Sequence, residues 1–353
     1  MLRSSHVTLL EALERLLAAG GSDLLLSVGT PPRIRKDGSL QVIDGEAALV
    51  AEDVEAMLIE VLLRPQLKAL KAGRNVDFAF TVRDQVRIRG NAYMQRGTPA
   101  AAFRLLPVRI PTFEQIGVPE SIYTLVARNQ GLILVTGPTG SGKSTTQAAM
   151  IDYLNRTRAC HIITIEDPIE YLHDHRLSLV DQRQVGTDTT SFADALRSAF
   201  REDPDVILIG EMRDLETMTS ALTIAETGHL VLATLHTNDA PQAIDRIVDS
   251  YTGPQQQQVR VQLASTLAGV IYQQLIPAVG GGRVAAFEVL VANMATRAMI
   301  KEGKTDQIRS VLLTGFAQGS QTLERSLTGL LRSGMVTERD ARAHSVHPAD
   351  IKL

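Results

Sequence analysis

Apolar positions in the first hundred residues follow two different periods. Leu9, Leu10, Leu13, Leu16 and Leu17 recur at helical spacing and predict a helix over 9–19, stopped by Gly20-Gly21. Short strand-like runs follow at 24–28 and 33–35, and Asp37-Gly38 reads as a hairpin-type turn. A second helix is expected over 51–63, with Asp53 and Glu55 in its first turn where acids complement the helix dipole. Strands are expected again over 76–82, 86–93 and 100–105. The mixture predicts a small α+β domain over 1–106. Leu106-Pro107-Val108-Arg109-Ile110-Pro111 then reads as a linker, set at 107–112, because its prolines favour extended backbone and block a helix.

After the linker the rhythm changes. Apolar runs at 132–135, 162–165, 206–209 and 230–235 alternate with helix-like segments, which predicts parallel strands with crossover helices and a sheet covered on both faces. The fold class is therefore α/β over 113–353. Ligands of such sheets bind at the carboxyl ends of the strands, and each of these four runs ends in a polar cluster. The uncharged stretch 261–282 places Leu263, Leu267, Ile271 and Leu275 four residues apart and is expected to form an amphipathic helix and then a loop. The segment from about 267 to 353 is expected to be mainly helical.

Composition narrows the partners. Hydrophobic residues make up 44% and charged residues 21%, ordinary for a soluble globular chain. A formal net charge of −3, 4% aromatics and no tryptophan argue against nucleic acid as the partner. One cysteine, Cys160, excludes an internal disulfide and a cysteine-rich zinc site, and fits a reducing compartment. The first apolar stretch is interrupted by Glu11, Glu14 and Arg15, so neither a signal peptide nor direct membrane insertion is expected. Any work at a membrane would need a docking partner.

The most informative stretch is Leu132 to Thr146, LILVTGPTGSGKSTT. It fills G-x-x-x-x-G-K-[ST] with Gly137, Gly142, Lys143 and Ser144, between a strand and a helix. Gly137, Gly140 and Gly142 allow the backbone to curl so that N–H groups converge on one anion. Thr139, Ser141 and Thr145 complete the cradle. The helix N-terminus adds its partial positive charge, Lys143 a point charge for the phosphates, and Ser144 a hydroxyl for Mg²⁺. These residues predict a nucleoside triphosphate site with Mg²⁺.

The other strand ends admit two readings each. Glu166, Asp167 and Glu170 follow the second run; they suit a metal and its waters, or simply a charged surface turn. Glu211 follows the third, where the usual residue is aspartate. Its longer side chain suits polarising an attacking water, although an acid there also complements a helix dipole. His229 and His236 flank the fourth. They lack a third grouped ligand for zinc, and an imidazole reporting on the γ-phosphate competes with plain packing. Arg89 and Arg104 lie on strands of the first domain, where arginine usually deters edge pairing. Nucleotide hydrolysis nevertheless often needs an arginine supplied from outside the phosphate-binding domain.

Together these clusters resemble the secretion and type IV pilus ATPases. GPTGSGKST (137–145) is similar to that family's Walker A, IEDPIEY (165–171) to its Asp box, REDPDVILIGEMRD (201–214) to its atypical Walker B, and TGHLVLATLHTND (227–239) to its His box. SDLLLSVGTPPRIRKDG (22–38) resembles the opening of its PAS-like N-terminal domain, while ATRAMIKEGKTDQI (295–308) and GSQTLERSL (319–327) resemble C-terminal segments of the pilus retraction ATPases. Leu25, Ile88 and Phe287 depart from residues common in the family, and none touches the phosphates.

The resemblance implies a RecA-like ATPase domain with a smaller PAS-like N-terminal domain and a helical C-terminal part. It implies a homo-hexameric, cytoplasmic motor held at the inner membrane by a pilus platform protein, powering retraction. Extension or type II secretion is the alternative within the family, and a nucleotide-switched scaffold the alternative outside it. By resemblance Glu211 is the catalytic glutamate, Glu166 and Glu170 support it, and Glu166, Glu211 and Ser144 stand near the metal. His229 and His236 form the His box. Arg89 and Arg104 are offered to a nucleotide across a subunit interface.

Overall fold

The computed structural model describes residues 7–36, 39–83, 86–106 and 109–352. The expected turn at Asp37-Gly38 and the Pro107-Val108 part of the linker lie outside the described residues. The chain divides into two units: Met1–Arg109 with Pro168–Leu172, and Ile110–Asp167 with His173–Leu353.

The first unit opens with α1 (Leu9–Ala18), closed at its start by a reciprocal cap in which Thr8 Oγ accepts from Glu11 N–H and Glu11 accepts from Thr8 N–H. β1 (Asp23–Ser27), β2 (Arg33–Lys36) and β3 (Ser39–Val42) follow, then α2 (Ala51–Ile59) and α3 (Arg64–Lys71), then β4 (Val76–Val82), β5 (Val86–Gln95) and β6 (Thr98–Leu105). The expected helix over 51–63 ends at Ile59, and a second helix with proline in its first turn follows from Arg64. The sheet runs β3-β2-β1-β6-β5-β4 and is antiparallel throughout. Its core packs Phe78, Phe80 and Phe103 against each other, with Leu13 and Leu16 of α1 in the same cluster. Gly90 is required there, because a Cβ at that position would lie 2.3 Å from the Phe78 ring.

The second unit contains α4 (Phe113–Ile116), α5 (Glu120–Val126), β7 (Gly131–Thr136), α6 (Lys143–Thr157), β8 (His161–Glu166), β9 (Leu179–Gln184), α7 (Phe192–Ala199), β10 (Val206–Ile209), α8 (Leu215–Glu226), β11 (Leu230–Leu235), α9 (Ala240–Asp249) and α10 (Pro254–Thr266). β12 (Leu267–Pro277), β13 (Arg283–Val291), α11 (Met294–Glu302), α12 (Ile308–Thr314), α13 (Leu323–Arg332) and α14 (Glu338–Ala343) complete it. The sheet order is β13-β12-β7-β11-β10-β8-β9, parallel except for the β12–β13 hairpin. Every residue of β7, β10 and β11 is buried, as expected for strands covered on both faces.

One expectation fails here. The stretch 261–282 is not a helix followed by a loop: α10 passes directly into the strand β12, and the helical C-terminal part begins only at Met294, after the β12–β13 hairpin. A four-residue apolar spacing is an even number, so it fits one face of a strand as well as one face of a helix. Ala268, Val270 and Tyr272 between those positions are buried too, which marks a strand covered on both sides. Arg297 of α11 donates to the carbonyls of Ser265 and Leu267 at 2.6 and 3.0 Å, satisfying the end of α10 where it turns into the strand.

Candidate active site

The phosphate loop joins β7 to α6. Gly137, Gly140 and Gly142 have φ of 146°, 78° and 88°, in the region open to glycine. Lys143, the first residue of α6, is 7% exposed, and its Nζ donates to the carbonyls of Gly137 and Pro138 at 2.8 and 2.9 Å. Ser141 Oγ is buried with no hydrogen-bond partner. Thr139, Gly140 and Ser144 lie exposed along the outer rim. A loop with an orphaned buried hydroxyl, a buried lysine and an uncapped helix start suits a polyphosphate. Ser144, beside Lys143 at the start of α6, is the hydroxyl that would face a divalent cation accompanying the phosphates.

A residue that sequence reasoning missed holds this loop from behind. Gln273 of β12 is buried, and its Oε1 accepts from Thr146 Oγ1 at 2.7 Å. Its carbonyl oxygen lies 2.3 Å from where a Cβ on Gly137 would stand, and its Nε2 lies 2.9 Å from one on Gly142. Gly137 is thus required by close approach to backbone as well as by φ, and Gly142 by φ. The signal was a pair of glutamines inside an apolar run, which only the strand assignment would have made conspicuous.

The ends of β8, β10 and β11 carry the candidate reactive groups. β10 pairs with β8 on one side and β11 on the other, and Gly210 N–H bonds Ile165 O at 2.8 Å, so Glu166 and Glu211 stand on adjacent strand ends. Glu211 Oε2 is 2.7 Å from Arg213 Nη2, and Glu211 Oε1 is 3.3 Å from His236 Nε2. Burial pushes the Glu211 carboxyl up, but Arg213 and His236 outweigh it and hold it below the usual carboxylate range. The helix-capping role weighed for Glu211 is taken by Asp214, which accepts from Thr217 N–H at 2.8 Å. Glu166 accepts from Thr164 Oγ1 at 2.8 Å and Gln182 Nε2 at 3.3 Å.

His236 follows a strand end fixed by buried threonines. Thr136 Oγ1 accepts from Thr237 N–H at 2.9 Å, and Thr234 Oγ1 donates to Gln147 Oε1 of α6 at 2.8 Å. His229 does not join this cluster. It precedes β11 at the opposite end, where Gly131 N–H bonds its carbonyl, and its Nδ1 lies 3.1 Å from Thr227 Oγ1 and 3.2 Å from Ile224 O. Six strand residues separate the two histidines, roughly 20 Å at ~3.3 Å per residue. A phosphate-facing role for His229 in its own subunit is therefore corrected to closing the end of α8.

The remaining acid and the arginines belong to the first unit. Pro168–Leu172 clusters there, Arg87 Nε donates to Ile169 O at 3.4 Å, and Arg89 Nη1 lies 3.8 Å from Glu170 Oε1. Glu170 thus pairs with Arg89, while Glu166 finds its partners in the second unit. Arg104 Nε lies 2.7 Å from Asp23 Oδ1.

The chain is similar to known proteins over nearly its whole length. The family model described as Type II/IV secretion system protein matches residues 73–281. The chain is 47% identical over 329 residues to the type IV pilus retraction ATPase PilT of Pseudomonas aeruginosa, covering 93% of this chain and 95% of that one. It is 38% identical to the type IV pilus ATPase PilU of the same organism, covering 97% and 90%. A crystal structure of the pilus retraction motor PilT with bound ADP matches with a TM-score of 0.91 at 47% identity, covering 98% of this chain and 99% of that one. A RecA-like domain with a nucleotide loop at β7–α6, a paired Glu211 and His236, and full-length similarity to these ATPases lead to one conclusion: the chain belongs to the type II/IV secretion system protein family.

Proposed function

We propose that this chain is the ATPase of a pilus retraction motor, working as a homo-hexameric ring against a membrane-embedded platform protein. The observation that carries the ATPase reading is the Glu211 carboxylate, braced on both oxygens by Arg213 and His236 at the strand ends beside the phosphate loop. Full-length similarity to PilT supports retraction as the work performed. Among the described residues no helix is long and apolar enough to cross a membrane, so the platform would supply the membrane contact.

Lys143 and the loop amides hold the phosphates, and Ser144 with phosphate oxygens holds Mg²⁺, which neutralises the phosphate charge when bound. Glu211 orients the attacking water through a carboxylate oxygen, with Glu166 of the adjacent strand beside it. His236, on the same carboxylate, is placed to report whether the γ-phosphate is present. Arg89 and Arg104 serve the nucleotide of a neighbouring copy, and Glu170 holds Arg89.

Two variants of the purified protein test this. Lys143→Ala should weaken ATP binding, because a charge partner of the phosphates is removed. Glu211→Gln should bind ATP as the parent does and lose phosphate release by on the order of a hundredfold, the scale of a removed proton acceptor. Parent-like turnover in Glu211→Gln would remove its assigned role.

A further inference from the structure

Four charged residues line up across the first unit's sheet. Arg35 of β2 is directly opposite Asp23 of β1, Asp23 is opposite Arg104 of β6, and Arg104 is opposite Arg89 of β5. Residues directly opposite one another share a face, so three arginines and one aspartate form a single row. Two arginines opposed without compensation would repel. Asp23 stands between two of the three.

The Asp23 side chain is 12% exposed, against 67% for that of Arg104. Ser22 Oγ donates to its Oδ2 at 2.7 Å, Arg104 Nε donates to its Oδ1 at 2.7 Å, and Arg35 Nε lies 4.0 Å from its Oδ2. The grip on Arg104 is through Nε. Its two terminal nitrogens, the pair that forms a fork on a phosphate, make no bond among the described residues. The carboxylate therefore fixes the stem of the guanidinium and leaves its binding edge outward.

We infer that Asp23 is a positioning residue for the arginine supplied in trans: it fixes Arg104 in the orientation that a neighbouring copy's nucleotide phosphates meet, and so raises turnover without touching the nucleotide. The inference rests on the reading of Arg104 as a supplied arginine. An arginine held before the encounter loses less freedom on meeting its anion than a loose one, so the benefit falls on the step that needs the cation.

A double-mutant cycle in the assembled full-length protein tests it. Arg104→Ala should lower kcat by tenfold or more, the range of supplied arginines. Asp23→Ala should lower kcat several-fold with KM for ATP unchanged. In the Arg104→Ala background the same Asp23→Ala change should alter kcat by less than twofold. Asp23→Asn keeps an Oδ1 acceptor and should recover part of the loss, and it provides the comparison if Asp23→Ala does not fold. An equal loss from the Asp23 change in both backgrounds would overturn the inference, because Asp23 would then act on the sheet in general. An Arg104→Ala protein with parent turnover would instead overturn the supplied-arginine reading, and the positioning role with it.

Discussion

His236 Nε2 lies 3.3 Å from Glu211 Oε1, while Arg213 Nη2 holds the other carboxylate oxygen at 2.7 Å. The residue expected to orient water and the residue expected to report on phosphate are thus bonded to each other. Burial alone would raise this carboxyl, and the two partners reverse that. Replacing Arg213 by Gln removes the nearer partner. The acid limb of the kcat–pH profile should then move to higher pH, because the carboxylate protonates earlier as pH falls. An unmoved limb would show that Arg213 does not set the ionisation of Glu211 during turnover.

Sharing of the site between copies makes a second prediction. Arg104→Ala subunits lack the supplied cation and Glu211→Gln subunits lack the water-orienting carboxylate. Mixed in one ring, some interfaces regain both. Phosphate release should pass through a maximum as the mixing ratio varies, and a flat profile at every ratio would place the two residues in the same functional site of one copy.

The segment 295–308 carries a resemblance to retraction ATPases, and its geometry narrows which residues can touch a partner. Ile300 is fully buried and Met299 packs against the main core. Ile300→Ala should cost about 2–5 kcal/mol of stability and report only on folding. Met294, Ala298 and Lys301 are exposed on α11. Replacing Met294 by Gln, Ala298 by Glu and Lys301 by Glu should leave ATPase activity near the parent value and abolish pilus retraction in cells. Normal retraction by that variant would make α11 a plain closing helix.

Two buried titrating groups give opposite slopes to stability. Burial pushes His173 from 6.5 down to about 4, so between those values the unfolded chain binds a proton that the native one refuses, and stability falls as pH drops. Burial pushes Glu288 from 4.5 up to about 7, so the native carboxyl keeps a proton the unfolded chain releases, and stability falls as pH rises through that range. Each effect is on the order of 3 kcal/mol over its full window. In the parent they offset one another between pH 4.5 and 6.5. Glu288→Gln should therefore give a denaturation midpoint that climbs with pH in that interval, and His173→Gln one that descends. Parallel curves for the two variants would contradict both assignments.

The strands β7, β8, β10 and β11 and the phosphate loop were legible because each apolar run is short, buried and closed by polar residues, whereas β9, LVDQRQ with half its positions polar and partly exposed, carries no such signal. Glu211 and His236 were legible for the same reason, as the groups that terminate such runs. Three features were not. β12 was hidden because its apolar spacing suits two geometries. Arg213 was hidden because what matters is its side chain folding back on Glu211, which no spacing reveals. The grouping of Pro168–Leu172 with the first unit was hidden because the motif 165–171 is divided between the two units after Asp167.

The position of β7 has a consequence for biosynthesis. It is the first strand of its sheet to leave the ribosome, yet its two neighbours are β11 and β12. β8, β9 and β10 emerge in between and pair elsewhere. A strand that is buried at every position therefore waits with both edges open until residue 230, and its second edge stays open until residue 267. Such a strand is a template for wrong partners, which makes this nascent chain a client for chaperones that shield extended segments. Gln273 arrives later still. A product cut short before it carries the whole glycine loop but lacks the side chain that braces it, so unfinished chains should neither bind ATP nor enter rings built of finished ones.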